Sequence, residues 1–276
     1  MPLGRWSHKA LYHDGRFSGA VPRGFFKCRG TIIMQYTIAI MRCGMRWVFG
    51  GCSAAALVII AVALRMWAAK EVRDDAGEAF FLTLLGAVWL ILANALFSWL
   101  GLSYRDDVVE RGNMASLIAV CGALMAVAIL YAGGSIGEGP SYWENVFSAT
   151  LATAGWLLLW VLIELTAGVS VSVAEERDLA SGLRLCGFLL ATGLMLGRAV
   201  AGDWHSVAAT IHDFVRDGWP AAILCAIALV VEKISRPSRD HPFPPWPGHG
   251  LVPALLYLTL AAAWLCHLGA WEGMPR

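Results

Sequence analysis

The sequence predicts an all-α fold, a polytopic transmembrane helix bundle of about seven spans that contains a parallel two-span repeat. Three observations carry this. First, 58 % of the 276 residues are hydrophobic and only 15 % charged, whereas a soluble domain carries roughly 25 % charged residues. Second, the apolar residues fall in blocks that approach the ~20 residues needed to cross a bilayer, and mean hydropathy is +0.62. Third, a junction from polar turn to apolar run at residues 110–122 returns, 65 positions later, at residues 175–187.

Residues 1–46 are basic and irregular, carrying Arg5, Lys9, Arg16, Arg23, Lys27, Arg29, Arg42 and Arg46 around a short apolar piece at 31–41. That piece is too short to span, and no small-residue cleavage site follows it. The segment reads either as a membrane-skimming cytoplasmic tail or as an over-long start, with Met34, Met41 and Met45 as alternative initiators. Residues 47–78 supply a leading span and an outer loop, 79–202 a repeated four-span membrane domain, and 203–276 an outer amphipathic segment with two trailing spans.

The spans fall at about 47–67, 79–102, 114–133, 145–168, 179–201, 217–231 and 251–269. The sixth is the weakest. Its purely apolar stretch, 219–231, covers about 20 Å of a ~30 Å hydrocarbon core. It either borrows residues from 206–216 or leaves that segment, with His212, Asp213 and Arg216, to lie along the interface. Between the last two spans, residues 236–250 hold five prolines, which enforce an extended path. This is a stiff connector or a cytoplasmic docking ligand. Trp67, Trp99, Trp143 and Trp219 stand near span ends, as interface anchors do.

Seven spans place fourteen Lys and Arg residues on one side and four on the other. By the positive-inside rule the N-terminus and both echoed turns are cytoplasmic and the C-terminus lies outside.

The echo is specific in detail. Glu110 aligns with Glu175, Asn113 with Asp178, Ala115-Ser116 with Ala180-Ser181, and Cys121-Gly122 with Cys186-Gly187. Two spans per unit keep both copies in one orientation, so both polar turns share a face. Asn113 and Asp178 each precede an apolar run and read as N-caps. With Glu110 and Glu175 they are the candidate polar turns for a cytoplasmic ligand. Downstream, Ala115, Ala119, Gly122 and Ala126 form a stripe of small residues that favours close helix packing. In the second copy the stripe is Ala180, Arg184, Gly187, Ala191 and Arg198.

Charge within a span costs roughly 2.5–3.5 kcal/mol on insertion scales. Arg184 therefore needs a partner, and Glu164, at a similar depth in the fourth span, is the expected one, with snorkelling to the near interface as the alternative. Arg198 has Asp203, Glu144 and Glu138 as candidates, or snorkels outward. Asn94 is a further intramembrane polar residue.

No metal site is expected. The nearest set is Asp203, His205, His212 and Asp213, but the two histidines are seven residues apart, about 10 Å along a helix. The sequence contains no HExxH, GxSxG or Walker A motif, so neither catalysis nor a cofactor is expected.

The residues 110–116 with the following Cys121-Gly122, and their return in a second pair of spans, resemble the domain of unknown function 350 family over about residues 79–202. Asp178 departs from the family's Asn, and the leading and trailing spans exceed its four-span members. The resemblance implies a bacterial cell inner-membrane protein and, by kinship, a stress-related role. The functional expectation is a non-catalytic membrane scaffold. The alternative is a channel or small transporter with a path lined by Glu164 and Arg184, joined by Asn94 and Arg198. Expected partners are the lipid bilayer, a cytoplasmic protein and a second copy of the chain, with no nucleic acid.

Overall fold

The computed structural model describes residues 27–235 and 245–270, with side chains from residue 43 onward. Most of the basic tail, the greater part of the proline-rich connector and the C-terminal residues 271–276 lie outside the described residues. Contacts divide the chain into residues 1–39 and 40–276, and the helix bundle belongs to the second unit.

Nine α-helices are described: α1 Lys27–Trp67, α2 Lys70–Asp74, α3 Ala76–Phe97, α4 Met114–Gly134, α5 Tyr142–Ala167, α6 Leu179–Ala199, α7 Val207–Gly218, α8 Pro220–Ser235 and α9 Val252–Leu268. Six helices are long and apolar enough to cross a membrane, or seven if the bent pair α7 and α8 counts as one span. The chain is an all-α, multi-pass membrane protein.

Two expectations on the elements change. Helix α1 begins at Lys27, so the short apolar piece at 31–41 is helical; no proline interrupts it. The sixth expected span falls on a bent pair of helices. Pro220 restarts the helix after Trp219, because a proline, lacking an N–H, suits a first turn, and α7 meets α8 at 40°. With 16 residues, α8 is about 24 Å long. Helix α7 is amphipathic. It leaves His212 and Arg216 exposed, while Phe214 packs over Gly155 of α5.

Helices α4 and α6 form the buried centre, and the other spans surround them. Ala115 approaches Gly182, Gly122 approaches Cys186, and Ala126 approaches Gly193. The register rises together, so the two helices run in the same direction. Packing is at backbone distance. A Cβ on Gly122 would sit 2.5 Å from Cys186 Sγ, and one on Gly182 would sit 2.7 Å from Ala115 O. Such contact replaces the hydrophobic drive that helices lack in lipid. Trp156, Trp160 and Phe97 fill the space around this centre, and Trp156 Nε1 donates to Leu189 O at 2.9 Å. Bulky apolar residues on α1, α3, α5 and α9 are exposed, the surface a bilayer would cover.

Candidate functional site

The two echoed turns are built alike, bond by bond. Each opens with a π-helical turn, at Tyr104–Glu110 and Val171–Glu175. Arg111 N donates to Asp106 O, and Glu176 N to Val171 O. Asn113 N donates to Asp107 O at 3.0 Å, and Asp178 N to Ser172 O at 2.9 Å. The backbone then turns left-handed at Gly112 (φ 65°) and Arg177 (φ 57°). Arg177 tolerates this at a cost of roughly 1–2 kcal/mol; its guanidinium donates to Arg111 O at 3.1 Å. Both predicted caps form. Asn113 Oδ1 accepts from Ala115 N and Ser116 N, and the Asp178 carboxylate from Ala180 N and Ser181 N.

The turns are also tied to each other. Asn113 Nδ2 reaches across to Val173 O at 2.7 Å and to Ala174 O at 3.2 Å. Asn113 is buried, so these bonds satisfy two carbonyls that would otherwise be stranded in an apolar setting. Glu110 and Glu175 point outward and are exposed, Glu110 pairing with Arg105 at 3.4 Å.

Directly beneath the second turn lies a buried ion pair. Arg184 Nε donates to Glu232 Oε1 at 2.7 Å, and its terminal NH2 nitrogen donates to Oε2 at 2.9 Å. The other terminal nitrogen donates to His249 O at 2.6 Å. A further bond runs to Ser181 Oγ at 2.8 Å, and Ser181 Oγ in turn donates to Asp178 at 2.6 Å. The Arg184 side chain has 0 % exposure and that of Glu232 9 %. This bidentate arrangement is the strong form of the contact. It welds α6 to α8 and to the π-helical turn Pro247–Leu251 that leads into α9.

The expected Arg184–Glu164 pair is therefore corrected: the partner is Glu232. Glu164 instead accepts from Ser170 N at 2.9 Å and from Ser170 Oγ, stapling the end of α5 to its own loop. In the first unit a carboxylate also holds a loop amide, Ser103 N donating to Asp107 at 2.8 Å, but at a different position of the turn. Sequence reasoning missed Glu232 because the expected sixth span stopped at Val231, one residue short. The signal was present: a lone carboxylate ending an apolar run on the same side as Arg184.

One terminal nitrogen of Arg198 donates to Gly269 O at 3.3 Å. Asp203 accepts from Glu138 N at 2.9 Å, and Glu144 closes a capping box with Ser141. Together with Trp204 N donating to Glu138 O at 2.8 Å, these bonds join the loops at the opposite end of the bundle. Around them lie cavities of about 750 Å³, lined by Glu71, Glu78, Glu138 and Trp204, and about 460 Å³, lined by Arg198, His205 and Asp213. Asn94 is in neither; it lines a groove between α1 and α3.

Both turns and the two central helices fall within residues 71–200, which match Domain of Unknown Function (DUF350). Those residues belong to the DUF350 family. The DUF350 domain thus runs from α2 to the end of α6 and takes in both turns and Arg184, whereas Glu232 and His249 lie beyond it. Among curated proteins and among solved structures nothing matches the chain.

Proposed function

We propose that the chain is a non-catalytic component of the bacterial inner membrane, built on two parallel copies of a two-span unit, that presents its paired turns as a docking platform for a cytoplasmic protein. The observation that carries this is the bonding of one turn to the other through Asn113 and Arg177, while Arg105, Asp106, Glu110, Glu175 and Glu176 project outward. A surface fixed before binding loses little freedom on binding. The Lys and Arg asymmetry supports a cytoplasmic position for this face.

The channel reading has less support. Arg184 and Glu164 are engaged by fixed protein partners, and the large cavities lie at the opposite end. A photo-crosslinking residue placed at Arg105 or Glu176 of the full-length protein in native membranes tests the platform. The expected result is capture of a discrete cytoplasmic protein, reduced at least about tenfold when Glu110 and Glu175 are both changed to Lys. Absence of any adduct, together with ion flux through proteoliposomes that E232Q abolishes, would replace the platform with a conduit.

A further inference from the structure

Asn94 is a polar side chain set within a span with no hydrogen bond to a described residue. Its Oδ1 is buried and unpartnered, and no described residue reaches its amide nitrogen. Asn94 lies one turn from the turn-side end of α3. It lines a groove of about 230 Å³ with Ser53 and Leu57 of α1, Leu90 and Ile91 of α3, and Leu124 of α4. The walls are apolar except at Asn94 and Ser53, and Ser53 Oγ donates inward to Phe49 O at 2.9 Å. At the turn-side end Phe49 stacks on Tyr104, with ring centroids 3.8 Å apart. Ile91 on its wall is exposed, so the groove opens to the outside of the bundle.

An unpaired amide in hydrocarbon is costly. An occupant that meets the amide removes that penalty, and one whose shape follows the groove walls adds van der Waals contact. Its charge is indicated by Arg46. Helical spacing puts Arg46, Ser53 and Leu57 on one face of α1, with Arg46 at the turn-side end, exposed and in no ion pair with a described residue. The series from cation through amide to apolar groove matches a phospholipid read from phosphate through ester to acyl chain.

We propose that this groove is a binding site for one anionic glycerophospholipid of the turn-side leaflet. The acyl chain lies along Leu57, Leu90 and Leu124, the ester region meets the Asn94 amide, and the phosphate faces Arg46. A 180° amide flip offers either the N–H₂ or the carbonyl to the ester region or to a headgroup hydroxyl.

Native mass spectrometry of the full-length protein, released from vesicles of equal phosphatidylglycerol and phosphatidylcholine, tests this. The wild type is expected to retain one phosphatidylglycerol after detergent exchange. Ala87 of α3 also lines the groove, and A87F, which fills it with a ring, should abolish retention. R46Q should lower the preference for the anionic lipid about fivefold, equivalent to about 1 kcal/mol. N94L should lower retention while leaving the melting temperature unchanged or raised, since it removes an unpartnered amide. Retention indifferent to A87F and N94L would overturn the proposal. So would a lipid-free dimer that N94L dissociates, which would make a second copy the occupant.

Discussion

Arg184 shows what one substitution between two similar units demands. At the aligned position the first unit has Ala119, buried in a small-residue stripe against α6. The second unit's stripe instead faces α9 and the turn leading into it, where Gly187 meets Ala254 and Ala180 meets Gly250. An arginine there is shielded from water and lipid; Glu232 neutralises it and the His249 carbonyl accepts one of its N–H groups. Removing one member of a buried pair strands the other, at about 3–5 kcal/mol in soluble proteins. R184M and E232L are each expected to lower thermal stability of the detergent-solubilised protein sharply. The double variant should recover most of the loss. Additive losses in a melting assay would mean that the two residues act independently.

At the level of elements, close approach rather than apolar volume decides the packing. Gly187 is where α9 crosses α6: a Cβ would lie 2.5 Å from Ala254 Cα. Gly50 on α1 has nothing within 4 Å of a built Cβ. G187L should therefore displace α9 and lower the melting temperature by many degrees, whereas G50L should be close to neutral. Equal effects would show that helix propensity, not contact, governs these sites. The N-caps at Asn113 and Asp178 were legible in the sequence because a cap needs only the next three residues. The π-helical turns before them were not. Nor was the break between α7 and α8 fully legible, although Pro220 marked its place. Composition reports how apolar a segment is, not whether two helices at 40° share its length.

For the molecule as a whole, α4 and α6 run in the same direction at the centre, and the loops leaving them at the opposite end are joined through Ile136, Glu138, Gly202 and Trp204. Parallel central helices put both polar turns on one face. With that face cytoplasmic and α7–α8 counted as a single crossing, a reporter that works only outside the cytoplasm should be active when fused after Arg276. Activity of a cytoplasm-only reporter there would mean an even number of crossings, and would point to α7 and α8 as an interfacial or re-entrant pair.

By itself, the sequence determined the membrane class, the positions of most spans, both caps and the likeness of the two turns. Each of these depends on residues within a few turns of one another, or on bulk apolarity. It also pointed to an inward-facing Arg184 in need of a partner. Which carboxylate would meet it was decided only by tertiary structure. Glu164 and Glu232 both lie toward the turn face, so depth could not separate them. What separates them is the rotation of each helix about its axis. Glu164 turns toward Ser170, beside its own helix end, whereas α8, lying against α6, brings Glu232 to Arg184 across 48 residues of chain.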